Sequence, residues 1–81
     1  MVTLEDLRAL AGEPVSIELA DGLVLDAEIV SVLDDQDHDQ VWYRVVRVVA
    51  AGSAVRPPII AGRGYATDLK EFVRVTKLPN P

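Results

Sequence analysis

The chain of 81 residues contains no cysteine, so it has no disulfides and apolar packing must hold the fold together. It also lacks any uninterrupted apolar stretch close to the roughly 20 residues of a membrane span. The first six residues, MVTLED, have neither the basic start nor the apolar run of a signal peptide. We therefore expect a cytoplasmic protein with no membrane contact.

Residue types for catalysis are equally scarce. The only histidine, His38, has no serine near it in the sequence that would form a nucleophilic pair with it. The run Gly62-Arg63-Gly64 is too short for a phosphate-binding loop and is not followed by Lys-Ser or Lys-Thr. We expect a protein that is not an enzyme, with no catalytic residues and no cofactor.

One acidic segment begins like a calcium loop. Asp35, Asp37 and Asp39 alternate, but Gln40 stands where such a loop needs glycine and Val46 where it needs a bidentate glutamate. With the neighbouring histidine, these carboxylates form at most a weak divalent site, and the alternative is a solvated loop. The sequence predicts no metal site.

The two halves of the chain differ in charge. Residues 1–40 hold eleven acids and one base, whereas residues 41–81 hold two acids and seven bases. Such asymmetry indicates an anionic partner for the basic half or complementary surfaces within one assembly. The alternative is that the strands interleave and the charges mix over one surface.

The first elements have clear local patterns. Thr3 is a helix N-cap with Asp6 three residues on, and Gly12 ends the helix. Its apolar stripe consists of Leu4, Leu7, Leu10 and Ala11. Residues 15–20 then alternate as a strand, and Asp21-Gly22 predicts a type I′ turn with two left-handed residues. A second strand follows, with a bulge near Ile29 and Val30 where the apolar positions change parity.

Three further strands are predicted in the second half. The third covers Val41–Ala50, and residues 51–58 form a loop. A short fourth strand starts at Ile59 and Ile60, and Asp68 with Glu71 caps a helical turn. The fifth strand covers Phe72–Leu78, with Val73 and Val75 facing inward. Residues 1–81 are therefore expected to be one mainly β domain, a short N-terminal helix followed by a five-stranded, strongly bent SH3-like small barrel.

Residues 4–33 resemble the Sm and Sm-like family. The leucine-bearing helix, the strand PVSIELADG and the strand LVLDAEI are similar to the opening of the family's first motif, with Gly22 at the turn glycine and Ala27 where a second glycine is usual. Arg63-Gly64 is similar to the arginine-glycine pair of the second motif, whose arginine contacts a nucleotide. The resemblance implies a homo-oligomeric ring of subunits joined by adjacent edge strands, and it covers the fold better than the nucleotide-binding site, so RNA and a protein partner both stay open.

The aromatic residues offer a second basis for binding. Trp42 and Tyr43 are adjacent on a strand, so they face opposite sides and at most one fills the core. Alternation puts Arg44 on the side of Trp42 and Arg47 on the side of Tyr43. This pattern is typical of a base-stacking surface, or of arginine stems that cover apolar area. The candidate contacts to nucleic acid or a protein partner are Trp42, Arg44, Arg47, Arg63 and Tyr65.

Three functions remain open from the sequence. The first is a non-catalytic Sm-like homo-oligomer, whose expected subunit interface consists of Ile59, Ile60, Phe72 and Arg74. The second is a monomeric or dimeric SH3-like module that binds a protein partner along its basic half. The third is an RNA-binding ring. An apolar fourth strand and a fifth strand with few charges favour the first, because unprotected edges tend to pair.

Overall fold

The computed structural model describes residues 2–34 and 39–79. The chain forms helix α1 (Leu4–Ala9) and strands β1 (Pro14–Leu19), β2 (Val24–Leu33), β3 (Gln40–Ala50), β4 (Gly64–Asp68) and β5 (Phe72–Lys77), with a 3-10 turn (Leu69–Glu71) before β5. The five strands form one antiparallel sheet in the order β4-β3-β2-β1-β5. The predicted mainly β fold, with a short helix and a small barrel-like sheet, is confirmed.

Helix α1 begins as the sequence predicts. Thr3 Oγ1 accepts a hydrogen bond from the Asp6 amide at 3.2 Å, and Asp6 Oδ2 accepts one from the Thr3 amide at 3.0 Å. A helix of six residues is too short to be stable alone, so it depends on Leu7, which is completely buried in the core.

The core lies on one face of the sheet. Alternate residues of β1 and β2 point into it, which accounts for the strict apolar alternation in their sequences. Tyr43 from β3 and Phe72 from β5 complete it, with an edge-to-face contact of 6.1 Å between ring centroids. The buried apolar residues are Leu7, Val15, Ile17, Leu19, Leu23, Leu25, Ala27, Ile29, Val41, Tyr43, Val45 and Phe72.

The turn between β1 and β2 differs from the prediction of two left-handed residues. The Gly22 amide donates to the Leu19 carbonyl at 3.0 Å, and the Leu19 amide donates to the Leu23 carbonyl at 2.8 Å. Gly22 has φ +90°, whereas no described residue other than glycine has a positive φ. The loop therefore has three residues and one left-handed position, which is the type I turn with a glycine bulge rather than type I′.

Bulges change the direction of several side chains. In the β2–β3 ladder Ile29 opposes Tyr43 and Ser31 opposes Trp42, so Val30 is the extra residue, as its parity change predicts. A second shift leaves Val46 unopposed between Val45 and Arg47. That bulge turns Arg47 to the outer face, so the expectation that it shares the side of Tyr43 is wrong.

The fourth strand begins later than predicted. Ile59 and Ile60 belong to the loop, and β4 begins at Gly64. A turn closes over Ala61 and Gly62, where the Arg63 amide donates to the Ile60 carbonyl at 3.2 Å. Pro57 and Pro58 supply no amide hydrogen for a ladder. Hydrogen bonding to β3 starts in this turn, where the Gly62 amide donates to the Val45 carbonyl at 2.7 Å.

The fifth strand is confirmed, but its inward residues differ. Glu18 opposes Arg74 and Leu19 opposes Phe72, which leaves Val73 as an unopposed bulge residue. Val73 is consequently 52% exposed instead of facing inward, and Phe72 lies in the core. Val75 opposes Ile17 and is half-buried, as predicted.

Candidate binding surfaces

The outer face of β3 carries three of the predicted contact residues. Trp42 is 43% exposed, while Tyr43 on the opposite face is 3% exposed and fills the core. Arg44 donates to Glu28 at 3.4 Å, and Arg47 donates to Asp26 at 3.0 and 2.7 Å. Both arginines are thus paired with carboxylates of β2, which reduces the positive potential beside the indole ring.

The other two predicted contact residues lie elsewhere. Tyr65 is on the inner face, 6.4 Å from Tyr43 between ring centroids, and its hydroxyl accepts a hydrogen bond from the Ile60 amide at 2.9 Å. Arg63 is exposed in the turn before β4, next to Gly64, which opposes Arg44. The structure therefore brings together Trp42, Arg44 and Arg47 on one face and separates Tyr65 from them.

The predicted interface residues also differ in accessibility. Ile59 packs partly against the core and Ile60 is exposed, both in the loop before β4. Phe72 is buried, whereas Arg74 is exposed on β5 and has no ion-pair partner among the described residues. The open edges therefore present mainly backbone groups and Arg74 rather than the isoleucines.

The open edge of β4 can be read from its hydrogen bonds. The Val45 amide donates to the Arg63 carbonyl at 2.9 Å, and the Leu69 amide donates to the Asp39 carbonyl at 2.9 Å. Hydrogen-bonded pairs alternate along an antiparallel ladder, so Tyr65 and Thr67 bond to β3. The amides and carbonyls of the remaining β4 residues, Gly64, Ala66 and Asp68, therefore point away from the sheet.

The opposite edge, β5, lies beside a groove. The Leu78 amide donates to the Pro14 carbonyl of β1 at 2.9 Å. Because hydrogen-bonded pairs alternate along an antiparallel ladder, Val75 and Lys77 direct their backbone groups outward. A groove of about 440 Å³ separates this edge from α1. It is lined by Val2, Asp6, Ala9, Leu10, Val73, Arg74 and Val75.

Asp21 makes a set of contacts that the sequence does not predict. Its carboxylate accepts hydrogen bonds from the Leu23 amide at 3.2 Å and the Ala54 amide at 3.3 Å, and it forms an ion pair with Arg56. Its carbonyl accepts hydrogen bonds from Ser53, from the amide at 2.9 Å and the hydroxyl at 3.2 Å. We call this set of contacts the Asp21 latch, because it fastens residues 53–56 to the β1–β2 turn.

The latch changes the acidity of its carboxyl group. Desolvation raises the pKa of Asp21, but the hydrogen bonds from the Leu23 and Ala54 amides and the charge of Arg56 outweigh it, so the net pKa is lowered. Asp21 is therefore held in its charged form.

Tyr43 is the second group with a displaced pKa. Burial is the main cause that raises the pKa of its phenol, against the opposing effects of the hydrogen bond with Thr67 and the charge of Arg56. The two hydroxyl oxygens of Tyr43 and Thr67 are 2.8 Å apart. The phenol therefore stays neutral and joins β3 to β4.

The predicted acidic segment lies mostly outside the described residues, which exclude Asp35, Asp37 and His38. Across residues 2–34 and 39–79, no three His, Cys, Asp or Glu side chains form a cluster that would hold a metal ion. Over the same ranges, no helix has the length and apolar character needed to cross a membrane. Comparison of the chain with models of known families, with curated proteins and with solved structures gives no match.

Proposed function

We propose that this protein is a non-catalytic, Sm-like assembly protein whose copies join through the free edges of β4 and β5 into a homo-oligomeric ring. The observation that carries the proposal is the strand order, which puts β4 at one end of the sheet and β5 at the other. Each copy thus offers two different edges. Pairing β4 of one copy with β5 of the next is a head-to-tail contact, which closes into a ring when the rotation between copies allows it.

The side chains at the two edges support this contact. On the inner face, Tyr65 and Thr67 of β4 and Val75 of β5 are only half-buried, so an added strand would cover the remainder. The groove between α1 and β5 provides room for such side chains. Arg74 on β5 is unpaired among the described residues, and Asp68 on β4, whose present ion-pair partner is Lys70 at 3.9 Å, has the opposite charge. Complementary charges favour the head-to-tail contact over self-pairing of either edge.

The SH3-like interaction module is the second candidate, and one observation favours it. The C-terminal half of β3 extends past β4 and exposes three valines, with Val46 at 56%, Val48 at 38% and Val49 at 51%. Exposed apolar side chains at the uncovered end of a strand are available for contact with a partner. An RNA-binding ring has less support, because Arg44 and Arg47 beside Trp42 are already paired with carboxylates.

Mass in solution tests the proposal. Size-exclusion chromatography with light scattering at tens of micromolar should give a multiple of 8.8 kDa. The variant Ala66→Pro removes an amide that points outward and should shift the particle toward monomer, because proline is tolerated at an edge but blocks an added strand. A monomeric wild type would overturn the ring and favour the SH3-like module.

The matched control is Ala61→Pro. Ala61 precedes Gly62, which has φ +90°, in the turn before β4, and proline is favoured at that position of a type II turn. This variant should keep the oligomer. Equal dissociation by both variants would show that proline acts through folding rather than through the edge. Salt-dependent filter binding with U-rich and A-rich RNA then separates the RNA-binding ring from a ring with another ligand.

A further inference from the structure

A solvent-open cavity of about 410 Å³ lies under the loop between β3 and β4. Its volume falls within the range of about 300–1,000 Å³ found for small-molecule sites. Leu23, which immediately precedes β2, and Val48 of β3 line one part of the cavity, and residues of the loop line the rest. The lining residues are Leu23, Val48, Ala51, Gly52, Ala54, Arg56, Pro57, Pro58 and Ile59, so Arg56 is the one charged side chain among them.

The wall of this cavity is fixed by several contacts. The Asp21 latch holds Ser53, Ala54 and Arg56, and it requires a residue without a side chain at position 52. A Cβ there would lie 2.6 Å from Asp21 Cγ, closer than real Cβ atoms approach other atoms. Pro57 and Pro58 stiffen the following residues by restricting φ. The cavity is therefore a preformed feature of the folded chain.

Arg56 has hydrogen-bonding capacity to spare. Its Nη2 atom is the nitrogen that contacts Asp21, and Nε and Nη1 have no hydrogen-bond partner among the described residues. Guanidinium carries five N–H donors in a planar fork that matches a carboxylate. Asp21 takes only the Nη2 donor, so the Nε and Nη1 donors of this cavity-lining arginine remain unfilled.

We propose that this cavity binds a small amphipathic anion, whose apolar body contacts Leu23, Val48 and Ile59 while its carboxylate pairs with the free edge of Arg56. Hydrogen-bonding complementarity selects this class of ligand. Asp21 balances the charge of Arg56, but the Nε and Nη1 donors are unfilled, a carboxylate is the acceptor that fits them best, and the remaining lining is apolar. The site does not depend on the proposed ring, because every residue that lines it belongs to one copy of the chain.

Binding of octanoate, a probe of this class, tests the proposal, with octanol as the uncharged match. Amide NMR titration should show saturable shifts for octanoate at Leu23, Val48 and residues 51–59. Octanoate should bind at least about tenfold more tightly than octanol, the discrimination expected of one charge-assisted hydrogen-bonded pair. Absence of shifts with octanoate up to about 10 mM would overturn the site.

Variants assign the charge. Arg56→Gln should reduce octanoate binding about tenfold and leave octanol binding unchanged, since the apolar lining is kept. Arg44→Gln, which removes an ion-paired arginine from the outer face, should leave both unchanged. Arg56→Gln could act by loosening the loop, which would appear as faster hydrogen exchange of the Ala54 amide. In that case the ratio of octanoate affinity to octanol affinity in the wild type tests the anion site. Equal binding of the two probes by the wild type would leave only an apolar cavity and overturn the anion site.

Discussion

The carboxylate of Asp21 occupies the space that a side chain at residue 52 would need, so Gly52 is required by contact with a residue of another loop. Gly52→Ala should displace the carboxylate, break its bonds to Ala54 and Arg56, and lower the melting temperature by several degrees. In the double variant with Asp21→Ala, the alanine at 52 should cost much less, because the overlap is gone.

Gly64→Ala is the matched control for this prediction. A Cβ at Gly64 would lie 3.7 Å from the Tyr43 carbonyl oxygen, an ordinary contact, and Gly64 has no positive φ. The melting temperature of this variant should stay the same or rise slightly, as unstrained glycine replacements do. Equal losses for both variants would contradict a specific fit between Gly52 and Asp21.

The Asp21 latch should also make stability depend on acid. The pKa of folded Asp21 is lowered from its ordinary value of 3.8, so the latch contributes stability above that pH and loses it as pH falls through the lower, folded pKa. Asp21→Asn should therefore be less stable than wild type at neutral pH, and the difference should shrink in acid. Urea unfolding at a series of pH values measures it, with the exposed Asp34→Asn as control. A difference that stays constant down to about pH 2 would contradict the latch.

Local patterns predict the first half of the fold well. The capping box of Thr3 and Asp6, the alternation of β1 and the bulge at Val30 all depend on neighbours in sequence, and the structure confirms each one. The predicted type I′ turn between β1 and β2 is wrong because Asp21, which that turn would hold in the left-handed region, has a negative φ.

The second half depends on contacts between distant residues. Strand β4, with the sequence GYATD, lacks an apolar alternation of its own, and its pairing with β3 determines its position. The bulge at Val46 reverses Arg47, which alternation alone does not reveal. The Asp21 latch joins Asp21 to residues 33 and 35 positions away, so no local motif indicates it. For this reason the sequence predicts the elements better than the directions of side chains such as Arg47 and Val73 on them.

Gly22 should be sensitive to substitution for a different reason from Gly52. Nothing lies within 4 Å of a Cβ built there, but its φ of +90° strains any residue with a side chain. Gly22→Val should lower the free energy of unfolding by roughly 1 kcal/mol or more, and Gly22→Asn by less, since asparagine tolerates left-handed backbone better. Chemical denaturation measures both. An unchanged valine variant would show that the turn adopts another conformation.

The buried phenol of Tyr43 holds β3 against β4 and should make the stability of the fold depend on pH in alkaline solution. Tyr43→Phe removes the hydrogen bond with Thr67 and should cost about 1 kcal/mol, while the ring contacts with Tyr65 and Phe72 remain. The folded pKa of Tyr43 is raised above 10.0, so its contribution is fully present below pH 10.0 and is lost as pH rises through the folded value.

The two effects give a crossing pattern with pH. Wild type should be more stable than Tyr43→Phe at neutral pH and should lose that advantage above pH 10.0. There the unfolded wild-type chain is stabilised by ionising the Tyr43 phenol while the folded chain holds it neutral, and the phenylalanine variant has no phenol at this position. Tyr65→Phe is the control. The Tyr65 hydroxyl accepts a hydrogen bond from the exposed Ile60 amide, so loss of this bond should lower the free energy of unfolding by less than loss of the Tyr43 bond does. Urea midpoints across this pH range, together with absorbance of the phenolate, provide the measurement. If wild type and Tyr43→Phe lose stability in parallel, the Tyr43 phenol is not shielded from water, and the contact between β3 and β4 is looser than the 2.8 Å separation of the two hydroxyl oxygens indicates.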